Sequence, residues 1–267
     1  MGRVGEAFER AKGERRAALV IYVCAGDPDL AVTPRLIEAA ARGGADVVEV
    51  GMPFSDPTAD GPAIQRASER ALAGGATLRG VLDAVRAARE RGVRVPVLLF
   101  GYYNPILRYG EERLVQDAAD AGVDGFLVVD LPPEESAGLR EPAARRGLDY
   151  VPLVAPTSTE ARKRLAAAQA TGFVYYVSLT GVTGAAGVDL AVAAERAGAL
   201  QSMVGKPVAV GFGVKSPDDV RRIAPHAAGV VVGSAVVRAI EDAPDPDAAV
   251  AAVERLVADL ASSTGIG

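Results

Sequence analysis

The sequence predicts an α/β fold: a single (β/α)8 barrel over residues 1–267, with an extra N-terminal helix. Three observations carry this reading. Eight short apolar runs recur at 19–24, 46–50, 96–100, 125–129, 150–154, 173–177, 208–211 and 229–232, their starts 30 residues apart on average. That spacing is the length of one strand-plus-helix unit. None of the runs alternates with polar residues, as expected of parallel strands buried on both faces. Ala- and Arg-rich stretches of helical spacing lie between them, with no linker or composition break where a second domain would begin.

The elements follow in order. An amphipathic segment near Val4–Lys12 precedes the first strand and is placed to plug one end of a barrel. The first apolar run follows Arg15-Arg16 and resembles a short signal segment on the surface. However, Glu6, Glu9 and Glu14 precede it, and Gly26-Asp27-Pro28 stands where a small-residue cleavage site should be, so it reads as a buried strand. Helices are expected over Pro34–Arg42, around Ala63–Leu72, and over Leu78–Arg91, Glu111–Ala121, Glu134–Arg146 and Glu160–Ala168. Thr33, Thr159 and Ser216 precede helix-opening residues as caps, and Gly92, Gly122 and Gly147 close helices. The rival is an open doubly wound sheet with a dinucleotide fingerprint. Its nearest candidate, Gly211-Phe212-Gly213, lacks the third glycine and lies after the seventh strand.

Composition removes several function classes. Acids outnumber bases 34 to 29, for a net charge of −5, so no basic face dominates to meet a phosphate backbone. Aromatics are 5% with no Trp, which argues against stacking platforms for single-stranded nucleic acid. The single cysteine, Cys24, cannot form an intrachain disulfide, and the single histidine, His226, cannot build a histidine metal site. Zinc hydrolases, thiol redox pairs and secreted disulfide scaffolds are thereby set aside. His226 follows Pro225 near a helix end and reads as a surface residue. No run approaches the ~20 apolar residues that span a bilayer. A soluble, cytoplasmic chain with no metal is expected.

In a barrel, the C-terminal ends of the strands and the loops after them build the site. Glu49 sits inside Val47-Val48-Glu49-Val50, where an ionised carboxylate is costly unless paired or functional. The stretch Gly51–Pro62 follows, with Asp56 and Asp60 among glycines and prolines that imply defined turns. Asp60 reads equally as the cap of the next helix, and Asp56 before Pro57 as a turn residue. Glycine loops Gly181–Gly184, Gly211–Gly213 and Gly233-Ser234 follow the last three strands. Gly233-Ser234 is placed to open the last helix at its positive end, and together the three loops suggest a phosphate site. Tyr175 points inward or packs in the core. Lys215, the one lysine placed for an imine, reads as solvated beside Ser216. A phosphate site with two carboxylates, no metal cluster and no imine lysine restricts carbon–carbon cleavage to a substrate carrying its own electron sink. An indole does so once protonated at C3. Otherwise the carboxylates would shuttle protons as in an isomerase.

The stretch Glu49-Val-Gly-Met-Pro-Phe-Ser-Asp-Pro-Thr-Ala-Asp-Gly-Pro resembles the signature of the tryptophan synthase alpha chain family. Gly26-Asp27-Pro28, Tyr102-Tyr103-Asn104-Pro105, Gly181-Val-Thr-Gly184, Gly211-Phe-Gly213 and Gly233-Ser234-Ala235 continue it in family order. The resemblance implies a TIM barrel that cleaves indole-3-glycerol phosphate to indole and glyceraldehyde 3-phosphate. It implies that Glu49 handles the proton transfers and that Asp60 accepts the indole N–H. Tyr22, Phe100, Tyr175 and Phe212 would line the substrate pocket. Thr183 would close over Asp60, and Gly184, Gly213, Gly233 and Ser234 would bind phosphate. The resemblance further implies a PLP-dependent beta chain as partner in an α2β2 assembly, met through Pro53, Asp56, Pro57, Asn104 and Pro132. The chain would hold no cofactor of its own.

The sequence departs from the family pattern at four places: Tyr22 where Phe is common, Cys24 for Thr, Thr58 for a larger apolar residue, and Ala186 where many members carry Arg. A stand-alone indole-releasing lyase would use the same pocket. A phosphosugar isomerase and a non-catalytic activator of a PLP enzyme are the other readings. The Glu49–Gly61 stretch weighs against the first, and the presence of both Glu49 and Asp60 against the second.

Overall fold

The computed structural model describes residues 2–177, 190–211 and 213–266. Helix α1 (Arg3–Gly13) precedes β1 (Ala18–Cys24), whose seven residues are all buried, as a core strand requires and a cleaved leader does not. Then follow α2 (Thr33–Arg42), β2 (Val47–Gly51), α3 (Pro62–Ala73), α4 (Leu78–Glu90), β3 (Val97–Gly101), α5 (Tyr103–Tyr109) and α6 (Glu111–Ala121). The chain continues through β4 (Gly125–Val128), α7 (Ala137–Arg145), β5 (Asp149–Tyr150), β6 (Leu153–Val154), α8 (Glu160–Gln169) and β7 (Val174–Val177). It ends with α9 (Leu190–Val204), β8 (Val208–Gly211), α10 (Pro217–Ile223), β9 (Gly229–Val232), α11 (Ser234–Glu241) and α12 (Pro246–Ala261).

The strands pair in parallel in the order β5-β4-β3-β2-β1-β9-β8-β7-β6. The two ends of this order, β5 and β6, are halves of one stretch, so the sheet closes as a (β/α)8 TIM barrel. The expected 150–154 strand is split because Pro152 has no amide to give the ladder. Its neighbours still bond to both sides: Val151 N donates to Phe126 O at 2.9 Å, and Tyr175 N donates to Pro152 O at 3.0 Å.

Each strand alternates between two apolar layers. In β1, Leu19, Ile21 and Val23 face the helices, while Val20, Tyr22 and Cys24 face the barrel interior. Burial on both faces is why the runs do not alternate with polar residues. The interior is filled by side chains, with Val20, Leu98, Leu127, Val151 and Phe173 among them.

Helix α1 closes the N-terminal end of the barrel, as the sequence predicted. Phe8 stacks on Phe173 with ring centroids 4.7 Å apart. Three buried aspartates hold the helix: Arg3 pairs with Asp124 at 2.6 Å, Arg10 with Asp46 at 3.4 Å, and Asp149 accepts Val4 N at 3.2 Å.

Several local expectations are corrected. Thr33 lies inside α2 and does not cap it; its hydroxyl instead accepts Gly26 N at 3.0 Å, fastening the β1–α2 loop. The expected 134–146 helix begins as a single 3-10 turn, Pro133–Glu135, and becomes α-helical only at Ala137. Gly233-Ser234 opens α11, but α12 follows, so α11 is not the last helix. Thr159 and Ser216 do cap α8 and α10, Ser216 in a reciprocal pair with Asp219. Gly92, Gly122 and Gly147 follow helices with φ of 92°, 84° and 71°. His226 and Lys215 are exposed.

Candidate active site

The C-terminal ends of the strands surround a cleft lined by Tyr22, Glu49, Asp60, Ile64, Phe100, Tyr175, Gly213, Val214, Val231, Gly233 and Ser234. Eight of these are residues singled out in the sequence. Ile64, Val214 and Val231 were not. Val231 was legible in principle, as an inward position of β9, and Ile64 as the first inward turn of α3. Thr183, Gly184, Phe212 and the departure at Ala186 lie outside the described residues.

Glu49 stands in register between Tyr22 of β1 and Leu98 of β3. It is 1% exposed, and neither carboxyl oxygen has a hydrogen-bond partner among the described residues. Burial alone pushes its pKa up to about 8. A carboxyl group in this state holds its proton at neutral pH and can deliver it.

Asp60 stands on the loop between β2 and α3. The cap reading is corrected: Gly61 is the N-cap of α3, with no side-chain capping bond. The Asp60 backbone is held instead, by Asp60 N donating to Pro57 O at 3.1 Å and Gln65 Nε2 donating to Asp60 O at 2.9 Å. Burial raises the Asp60 pKa to about 6, and a hydrogen bond with Tyr102 works in the opposite direction. The two carboxyl groups of one cleft therefore differ in charge over the interval between them.

The aromatic walls are fitted to the backbone. Tyr22 meets Phe100 edge-on at 5.2 Å between centroids. A Cβ at Gly51 would lie 2.6 Å from Tyr22 Cζ, and one at Gly211 would lie 2.7 Å from Tyr175 Cε1. Both phenols thus occupy space that a side chain on the neighbouring strand would fill. Burial raises the pKa of both, so they stay neutral.

Gly213, with φ +89°, and Gly233, the N-cap of α11, bring backbone to the cleft wall. The first amides of a helix have no intrahelical acceptor, and the aligned dipole favours an anion there. Ser234 adds a hydroxyl at the same end. Pro53, Asp56 and Pro57 lie on the loop after β2, Asn104 in the first turn of α5, and Pro132 after β4. They share the open end of the barrel without lining the cleft. Asp56 and Asn104 are exposed. No helix of the described residues is long and apolar enough to cross a membrane.

A family model described as Tryptophan synthase alpha chain matches residues 8–264. A tryptophan synthase alpha chain of Geobacter sulfurreducens is 54% identical over 242 residues, 90% of this chain and 91% of that one. One from Burkholderia thailandensis is 49% identical over 260 residues, covering 97% and 96%. Among solved structures, tryptophan synthase subunit alpha from Legionella pneumophila superposes with a TM-score of 0.90 at 37% identity, covering 99% of this chain and 98% of that one. A chain of tryptophan synthase from M. tuberculosis, in an aminoacrylate-bound form, gives 0.87 at 35% identity, covering 99% and 100%.

Proposed function

The chain belongs to the tryptophan synthase alpha chain family, whose members cleave indole-3-glycerol phosphate, and on that premise we propose which of its residues do the work. Glu49, neutral at working pH, gives its proton to C3 of the indole. The ring becomes iminium-like and can take a bonding pair. The Glu49 carboxylate then takes the proton of the adjacent glycerol hydroxyl. That oxygen forms the aldehyde carbonyl, the carbon–carbon bond breaks, and its electrons restore the indole. Asp60, ionised, accepts the indole N–H and stabilises the positive charge that develops there. Tyr22, Phe100 and Tyr175 flank the reacting ring. Gly213, Gly233 and Ser234 receive the phosphate at the N-terminus of α11. Thr183, Gly184 and Phe212 belong to the same proposal.

The observation that carries this reading is the pair of carboxyl groups lining one cleft, Glu49 buried without a hydrogen-bond partner among the described residues and pushed up to about 8, Asp60 raised only to about 6. Carbon–carbon cleavage through an indole needs that combination of proton donor and anionic acceptor.

The chain, a single domain of residues 1–267, is proposed to work in the cytoplasm with a PLP-dependent beta chain in an α2β2 assembly. It would hold no cofactor itself. Pro53, Asp56, Pro57, Asn104 and Pro132 would meet the partner, with Asp56 placed for a partner cation.

The test is indole release from indole-3-glycerol phosphate, with and without a PLP-loaded beta chain. Weak release alone that rises sharply with the partner supports the proposal. Strong release unchanged by the partner identifies a stand-alone lyase and removes the assembly. No cleavage in either condition removes the roles given to Glu49 and Asp60.

A further inference from the structure

Asp60 lies on a loop, yet its task requires a carboxylate of fixed direction and charge. Among the described residues, the groups facing it are Tyr22 and Cys24 from β1, Tyr175 from β7 and Tyr102 just past β3, with Glu49 of β2 across the cleft. None of these carries a positive charge. A hydrogen bond is therefore the means these groups offer for keeping Asp60 ionised.

Tyr102 supplies it. The residue is 3% exposed, and its ring packs against Phe54 of the Asp60 loop at 5.3 Å between centroids. Its hydroxyl oxygen accepts Ala59 N at 2.9 Å. With that lone pair engaged, the phenol hydrogen is left to face the neighbouring Asp60 side chain, whose pKa the phenol lowers. Asp60 Oδ1 has no partner among the described residues. The same strand end also holds the start of the loop, through Met52 N donating to Phe100 O at 2.8 Å. Asp130 faces the phenol from the loop after β4.

We propose that Tyr102 is a positioning residue for the cleavage: its phenol clamps the loop through Ala59 and donates to the Asp60 carboxylate, leaving Oδ1 to accept the indole N–H. This rests on the role given to Asp60 above. Tyr102 acts through Asp60 and need not touch the substrate. The ring contact and the two hydrogen bonds make separable contributions, and only the hydroxyl bears on the charge of Asp60.

The experiment compares Tyr102→Phe, Phe54→Leu and Asp60→Asn with the parent chain. It measures kcat and KM for indole-3-glycerol phosphate from about pH 5 to about pH 9. The acid limb of the parent lies at the Asp60 value of about 6. Losing a hydrogen bond to the charged form moves that limb up by about one pH unit in Tyr102→Phe, an approximately tenfold loss on the acid side that shrinks as pH rises. Phe54→Leu leaves the limb in place, since the hydroxyl survives. A ¹³C titration of the Asp60 carboxyl carbon reads the same displacement without turnover. An unmoved limb and titration in Tyr102→Phe overturn the proposal, as does an equal displacement in Phe54→Leu. Asp60→Asn separates the two claims. Loss of activity at every pH sustains the Asp60 role and leaves Tyr102 to the limb, whereas parental activity with the limb intact overturns both.

Discussion

Glu49→Gln is expected to stabilise the chain while abolishing its activity. The carboxyl group has an ordinary pKa of 4.5 and is held at about 8 in the folded chain. Between these values the unfolded chain has lost a proton that the folded chain keeps. The folded state then binds more protons, so stability falls as pH rises, by about 1.4 kcal/mol per pH unit, and levels off above the folded value. The burden is about 3 kcal/mol at about pH 7 and about 5 kcal/mol above pH ~8. Glutamine has nearly the same shape and never ionises. Its amide meets the same lack of partners that the neutral acid meets. The variant should therefore gain about 3 kcal/mol at pH ~7, more at pH ~8.5, and almost nothing near pH ~4.5. Asp60 adds to the pH slope of both chains, from 3.8 to about 6, and cancels in the difference. Urea unfolding at about pH 5, 7 and 8.5 reads the gain, and indole release on the same preparations reads a loss of kcat of about 10²–10⁴-fold. A stability difference that is flat with pH would refute the reasoning, because Glu49 would then carry no raised pKa.

Three further outcomes follow from the geometry. The parent kcat/KM should be bell-shaped, with limbs near the Asp60 value of about 6 and the Glu49 value of about 8; a plateau through pH ~9 would contradict Glu49 as proton donor. Gly211→Ala sets a methyl 2.7 Å from Tyr175 Cε1, so calorimetry should show a loss of about 1–3 kcal/mol, with KM raised as the ring is driven into the cleft. Arg70 donates to both Asp27 oxygens, at 2.8 and 2.9 Å, and Asp27 is 1% exposed. Arg70→Met leaves that carboxylate unpaired and should cost about 3 kcal/mol in urea unfolding, with Lys restoring only part because it cannot make the bidentate pair.

The barrel was legible because its strands are buried on both faces, which writes them as unbroken apolar runs. The same rule placed Glu49, a charge flanked on both sides by the apolar residues of such a run. What escaped was set by single backbone groups and by contacts distant in sequence. The 150–154 run looked like one strand because its apolar content is continuous; the amide missing at Pro152 decided otherwise. Thr33 before Pro34 has the chemistry of a cap, yet Gly26, seven residues back, offers the amide it accepts. Asp60 before Gly-Pro has the same ambiguity, resolved when Gly61 took the capping position. Tyr102 stood in a recognised stretch without a role, since nothing local announces that its hydroxyl meets residues 59 and 60. Position past the end of β3 was the available signal, and it marks a region more readily than a bond.

The difference between the two carboxyl groups follows from where the fold places them. Glu49 is on a strand, so its neighbours are the inward side chains of β1 and β3, Tyr22 and Leu98, and the ladder uses the adjacent backbone amides. Among the described residues it has no hydrogen-bond partner, and burial acts alone. Asp60 is on a loop just beyond the strands, where another loop residue can reach it, and the phenol of Tyr102, which holds the adjacent Ala59 amide, is the group proposed to do so. Burial raises both values, but only the loop position offers a bond that favours the charged form. A strand supplies the acid and a loop the anion, and moving either carboxylate to the other's setting would lose the separation. That is why the barrel tolerates in its sheet a glutamate with no hydrogen-bond partner among the described residues: the environment that makes Glu49 costly to the fold is the one that keeps its proton available at neutral pH.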